Sequence, residues 1–333
     1  MTDNVVVSSP PATFVPRSLA FAALVLCIAA GASVPLWLKD MPFALMLASQ
    51  ALIAGTLALS LDLLTGNTGL LSFGHAAWYG FGAYVVGLAS RYTPEILLLL
   101  PFAAVSAMAV AVVVGLVLVR QIGKTFAILT LAFSQILYSL VFLFSKITGG
   151  EDGLQGVPPP TALGFRLVQP EAWYWFLYTV LILSLLGVLH LRRAPLGRAW
   201  LAIRDNNERA RFVGIDVVRL KVIAYALSAA LASVSGGLFV LFNGAASPDM
   251  LSWFKSGQIL MYVVLGGVGT IVGPIFGAAV FTFVEHYVSS ITDSWLIYFG
   301  GLFVLVVIVA PGGLFGLGVS LWARRSARSE ASR

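Results

Sequence analysis

Charge is scarce in this chain. Only 10% of its residues are Asp, Glu, Lys or Arg, against roughly a quarter in ordinary soluble domains. A water-facing surface cannot be covered from that supply, so a soluble globular fold is excluded. Cysteine is almost missing: Cys27 stands alone inside the first apolar run, which excludes an internal disulfide or a multi-cysteine metal site and leaves packing as its role. The three histidines, His75, His190 and His286, share no metal-ligand spacing, and no nucleophile–histidine–acid set or paired carboxylates suggest an enzyme. A formal charge of +6 raises the question of nucleic acid. The basic residues sit at the ends of apolar runs and in one loop, with no aromatic platform between them, so nucleic acid is not an expected partner.

What the chain has is apolar length. Hydrophobic residues make up 59%, and they fall in runs of about twenty, each long enough as a helix to cross the roughly 30 Å hydrocarbon core. The reading is an all-α polytopic membrane protein. Spans are expected near 18–38, 43–63, 69–90, 95–119, 125–145, 171–190 and 219–243, then a glycine-broken region over 257–291 and a last span near 294–310. Arg17 followed by an apolar run resembles a signal peptide ending near Ala30-Gly31-Ala32, but the run continues past Ala32, which favours an uncleaved first span. The organisation is then a cytoplasmic tail over 1–17, a transmembrane unit over 18–313 and a cytoplasmic tail over 314–333.

One stretch is polar throughout. Residues 192–221 hold eight of the twenty Lys and Arg residues, and so many cations in a short loop resist translocation, which puts this loop in the cytoplasm. The C-terminal tail carries Arg324, Arg325, Arg328 and Arg333 and belongs on the same side. That parity needs an even number of crossings after Lys221, so the region 257–291 must cross twice or be re-entrant.

The break falls in Leu265-Gly266-Gly267-Val268-Gly269-Thr270-Ile271-Val272-Gly273-Pro274, where Gly and Pro weaken a helix. The piece from Gly257 to Val268 would be about 18 Å long, too short to cross alone. Backbone freed at such a break needs protein or a wet cavity around it. About ten crossings result, with both termini inside. That count permits a five-plus-five inverted repeat in which the Gly-rich segment from Gly69 to Ser90 matches the short piece. Paired Gly-rich segments point to a translocation site, and close helix packing through small residues accounts for them equally.

The segment Leu63-Leu64-Thr65-Gly66-Asn67-Thr68-Gly69-Leu70-Leu71-Ser72-Phe73-Gly74-His75-Ala76 resembles the hallmark of branched-chain amino-acid ABC permeases of the LivM type. Further blocks are similar to the same family in the same order: Thr125–Tyr138, Thr148–Leu154, Gly197–Gly214, Ser247–Asp249 and Val264–Pro274. The resemblance implies one membrane subunit of an importer in the bacterial plasma membrane. Its implied partners are a second homologous permease, two ABC ATPase subunits and an extracytoplasmic substrate-binding protein facing the turn-rich loop from Lys146 to Glu171. Urea or short amides are the alternative cargo, because related permeases carry them, and an ion-coupled secondary transporter is the alternative class.

The cytoplasmic loop keeps the Glu-x-Ala-x-x-x-Gly spacing by which importer permeases of this kind contact their ATPase, in Glu208, Ala210 and Gly214, with Arg204 just upstream. Arg209 replaces one Ala of that motif and the usual Leu-Pro ending is absent. Arg198–Phe212 shows good helix formers but no clean apolar stripe, as expected of a short helix lying in a groove of a soluble partner. A basic segment that only binds anionic lipid is the plainer reading, and Asp205, Glu208 and Asp216 interrupt it. Gly123-Lys124-Thr125 has Leu118 where a phosphate loop needs glycine, so ATP hydrolysis belongs to a partner and no cofactor is expected.

The translocation candidates are the two glycine-rich elements, Gly69, Ser72, Gly74 and His75 in one and Gly266, Gly267, Gly269 and Pro274 in the other. His75 reads as orienting its helix rather than touching substrate. Ionisable groups at membrane depth need reasons. Asp62 reads as a local cap for Thr65 or Asn67, and Glu285 and His286 as pairing with another helix, with a role in the pathway as the sharper alternative. Trp173 and Trp175 read as interfacial anchors.

Overall fold

The computed structural model describes residues 31–121 and 123–292, with 294, 297, 298, 300, 301, 304, 308, 312 and 313 beyond them. Both expected tails, Cys27 and most of the expected first and last spans lie outside the described residues. Helix α1 is described over 31–37. It leads to α2 (Pro42–Thr68), which opens on a proline and closes at Gly69, whose left-handed backbone (φ 74°) aims its N–H at the Thr65 carbonyl. Residues 69–74 are non-helical, and α3 (His75–Ala89) follows. Helices α4 (Ile96–Leu118) and α5 (Lys124–Leu143) come next, joined through Gly123 at φ 63°. A short α6 (Ser145–Thr148), a 3-10 turn (Gly150–Asp152) and a hairpin of β1 (Thr161–Ala162) and β2 (Phe165–Arg166) lead to α7 (Pro170–Arg193). The polar stretch forms α8 (Pro195–Asp205) and α9 (Asn207–Phe212). Then come α10 (Val217–Asn243), a 3-10 turn (Pro248–Leu251), α11 (Trp253–Gly266) and α12 (Val272–Ser289).

Five of the described helices, α2, α4, α5, α7 and α10, are long and apolar enough to cross a membrane. The expected full span over 69–90 is corrected. Helix α3 has 15 residues and α11 has 14, or about 22 Å and 21 Å of rise, short of the hydrocarbon thickness. Glycine explains α3's late start, since Gly69 ends one helix in a left-handed turn and Gly74 lies against the Thr130 carbonyl, where a Cβ would collide.

Helix α10 is the hub, packed on α2, α3 and α4. Its buried face is built from small residues, among them Ala224, Ser228, Ala229, Ala232, Ser233, Ser235 and Gly236. Lipid tails give no hydrophobic drive between helices, so association rests on close packing and cross-helix hydrogen bonds. Both are present. Ser228 Oγ donates to the Ser60 carbonyl at 2.6 Å, Ser233 to Ala103 at 3.0 Å and Ser235 to Ile53 at 2.8 Å. Gly236 lies against the Tyr79 carbonyl and Gly82 against that of Ser233, contacts that leave no room for a side chain. The outward faces of α4 and α5 stay apolar and uncovered, with Val105, Val113, Val117, Ile136 and Leu143 exposed, as lipid-facing helices require. Trp173 departs from its expected anchoring role, being buried with its ring edge-on to Phe242 at 5.4 Å, whereas Trp175 is exposed.

Two loops pair beside this bundle. Leu154 and Ala246 exchange backbone hydrogen bonds of 2.8 and 2.9 Å. Glu95 accepts from Thr161 Oγ1 at 3.0 Å and from the Leu163 N–H at 2.9 Å, tying the hairpin to the turn before α4.

Candidate coupling site

The polar segment rests on a small foundation of its own. Gly197, Trp200 and Ile203 share one buried face of α8, and Trp200 Nε1 donates to the Leu220 carbonyl at 2.8 Å. Ile203, Ala210 and Val217 form a satellite core flanked by Ile215 and Leu220. The expectation that Arg198–Phe212 lacks an apolar stripe is corrected by that inward face, which the chain covers itself. Asn206 caps α9, its Oδ1 accepting from the N–H groups of Glu208 at 3.0 Å and Arg209 at 2.9 Å. Gly214, at φ 85°, turns the chain back toward α10.

The candidates of the Glu208–Gly214 motif therefore separate. Glu208 and Gly214 are exposed, while Ala210 is buried in the satellite core. Sequence reasoning missed Phe212 and Val213, which are 89% and 76% exposed beside Arg209 and Arg211. Two apolar residues closing a charged run were the available signal.

Arg204 behaves differently from its neighbours. Its side chain is largely exposed, yet its Nη1 donates to the carbonyl of Gly66, at the end of α2. Arg192, in the last turn of α7, donates from Nη1 to the Gly269 carbonyl at 2.7 Å. The buried carboxylate of Asp62 accepts the Gly269 N–H at 2.6 Å, with the Ile271 N–H also directed at it. Asp62 is thus not the local cap expected for Thr65 or Asn67, whose side chains bond Leu70 and Leu63 instead.

These contacts meet at the helix break. Helix α11 stops at Gly266 and α12 begins at Val272, with Gly267, Gly269 and Ile271 all at positive φ (109°, 81° and 66°). A β-branched residue there is an outlier, and such strain persists only where surroundings enforce it. Thr270 helps, donating to the Gly267 carbonyl at 2.7 Å and accepting from the Gly273 N–H at 3.1 Å. Pro274 sits in the first turn of α12, where a missing N–H costs no helical bond. Gly66 and Gly269 approach so closely that a Cβ on Gly66 would lie 2.8 Å from the Gly269 Cα.

Gly69 also belongs to this assembly, lying 3.4 Å from the Arg204 Cγ if given a Cβ. Ser72, Gly74 and His75 lie further along, where α3 begins. His75 Nε2 and Ser60 Oγ share a 2.8 Å hydrogen bond, the Phe73 N–H donates to Thr130 Oγ1 at 3.1 Å, and the Ala76 N–H to Ser256 Oγ at 3.2 Å. Ser72 Oγ and His75 Nδ1 are buried without a hydrogen-bond partner among the described residues. A cleft of about 470 Å³ borders this stretch, lined by Gly69, Leu70, Leu71 and Phe73 on one side and by Gly123, Lys124, Ala127 and Ile128 on the other.

Glu285 is bonded across helices, accepting from Gln258 Nε2 of α11 at 2.8 Å, and Gln258 Oε1 accepts from Lys255 at 2.7 Å. The His286 ring packs on Phe43 at 4.8 Å. No group of three metal-ligating side chains exists among the described residues.

Long apolar helices around two short ones, with a helix break tied to a polar segment, describe a multi-pass membrane protein. Comparison with known proteins narrows the class: residues 43–311 match the family described as "Branched-chain amino acid transport system / permease component", and the chain belongs to that family. It is 32% identical over 292 residues to the high-affinity branched-chain amino acid transport system permease protein LivM of Escherichia coli and to that of Salmonella typhimurium, covering 80% of this chain and 69% of each relative. It is 27% identical over 148 residues to the E. coli permease LivH, covering 44% of this chain and 47% of LivH. The autoinducer 2 import permease LsrC of Klebsiella pneumoniae is 30% identical over 175 residues, covering 50% of this chain and 48% of LsrC. No solved structure matches the chain.

Proposed function

We propose that this chain is one membrane subunit of an ATP-driven importer of branched-chain amino acids in the bacterial plasma membrane, with both termini and the α8–α9 segment in the cytoplasm. Its partners are a second, LivH-like permease, two ATPase subunits and an extracytoplasmic binding protein. The similarity to LivM over most of the chain supports the cargo. The observation that carries the coupling role is the exposed Phe212–Val213 pair, raised on the foundation of Trp200, Ile203 and Ala210. Apolar side chains facing water at the tip of a braced segment suit a groove in a soluble partner. ATP-driven closure of the ATPases then moves α8 and α9 and switches the pathway between outward- and inward-facing states.

The test is gentle purification of the tagged chain, with and without crosslinking, followed by identification of what accompanies it. An ABC ATPase and a second permease are expected. Their absence, or accumulation of leucine on an ion gradient by vesicles holding this chain alone, overturns the proposal. Leucine rather than urea is the expected ligand of the associated binding protein.

A further inference from the structure

Three charged side chains of this molecule spend themselves on the backbone of two glycines. Asp62 takes the N–H of Gly269 while Arg192 holds the carbonyl of the same residue, so this residue is gripped on both of its polar groups. Arg204 holds the carbonyl of Gly66, one turn along α2 from Asp62. The positive charges of Arg192 and Arg204 both act on the Asp62 carboxylate through space. The arginines come from the last turns of α7 and α8, which bracket the start of the polar segment.

We propose that Asp62, Arg192 and Arg204 form a staple through which movement of the α8–α9 segment is passed to the α11–α12 link at 267–271 and to the end of α2. The inference rests on the importer reading for the source of the movement. The geometry favours transmission over mere helix-end satisfaction for two reasons. First, the link holds the β-branched Ile271 at positive φ, a strained conformation that relaxes once its grips let go. Second, Arg204 is carried on α8 and stands against Gly269 while bonding the Gly66 carbonyl, so displacement of α8 moves that contact. The contact is tight, since a Cβ on Gly269 would stand 2.9 Å from Arg204 Nη1. Neither arginine touches cargo in this scheme, and all three side chains are positioning residues.

The experiment uses the complete transporter in nanodiscs, with hydrogen exchange read on the peptide spanning 263–275 and transport per ATP hydrolysed read in proteoliposomes. In the unsubstituted protein, trapping the ATPases with vanadate is expected to change exchange at the link. In Arg204→Met and Arg192→Met the link is expected to exchange about tenfold faster at rest. Trapping no longer changes it, and transport per ATP falls about tenfold. Arg204→Lys restores part of both, because an ammonium still donates to the Gly66 carbonyl but as a single point. Unchanged exchange at the link in both Met variants, or faster exchange with transport per ATP intact, overturns the staple. A transporter that shows no coupled ATP hydrolysis at all overturns the importer reading instead. Exchange measured on the isolated chain then still decides whether the arginines hold the link.

Discussion

The segments α2–α3–α4 and α10–α11–α12 follow one plan with different endings. Helices α2 and α10 each run 27 residues and close on a left-handed glycine, Gly69 and Gly244, both at φ 74°. A connecting stretch, non-helical after α2 and holding a 3-10 turn after α10, leads to a short helix of 15 or 14 residues in each. The two short helices meet where the Ala76 N–H reaches Ser256 Oγ. The turns after them differ. The turn before α4 is tied by one carboxylate, Glu95, to the β1–β2 hairpin. The link before α12 is tied by Asp62 and Arg192, from two helices, and Arg204 of a third stands against it while bonding the Gly66 carbonyl. The lesson is that the same backbone plan can be fastened by one carboxylate or by charged side chains from several helices, according to which of them reach it.

The largest expected effect comes where the two halves touch. Gly236→Leu drives a side chain into the Tyr79 backbone and is expected to cost more than about 3 kcal/mol, seen as loss of full-length protein from membranes. Recovery of a stable protein would mean the halves do not need this contact. Next, Asp62→Ala is expected to cost about 3 kcal/mol by stranding buried groups, and Glu95→Ala about 1 kcal/mol. Thermal unfolding in detergent reads both, and equal losses would erase the contrast between the two turns.

Substitutions on the outer side of α9 sharpen the comparison by separating fastening from force. Phe212→Ser leaves stability within about 0.5 kcal/mol and weakens ATPase retention about thirtyfold, as expected of a central apolar anchor, measured by co-purification. Gly214→Asp is expected to abolish substrate-stimulated ATP hydrolysis while insertion persists, since no atom crowds that position and the backbone strain at φ 85° falls on an exposed turn; normal stimulation would move the contact elsewhere. The smallest effect belongs to Glu285→Gln, which keeps an acceptor for Gln258 and is expected to cost under about 1 kcal/mol in the same unfolding measurement. A larger loss would give the Lys255–Gln258–Glu285 chain a place beside the staple.

Much of this was legible in the residues. Apolar runs located five of the described helices to within a few positions, and Gly266–Pro274 announced the break. The helix start at His75 was less visible, because the Thr130 carbonyl that excludes a side chain at Gly74 lies on another helix. Ala210 matched a motif and proved to be foundation, while Phe212 and Val213 carried no motif and proved to be surface.

By itself the sequence determined the membrane class, the helical elements and the place of the break, because hydropathy and the backbone effects of Gly and Pro act within a few residues. Only the tertiary structure decided what holds the break. Asp62 meets Gly269 across 207 positions, and Arg204 meets Gly66 across 138. Their acceptors and donors are peptide groups, which every residue carries alike, so no side-chain pattern could have advertised the pairing.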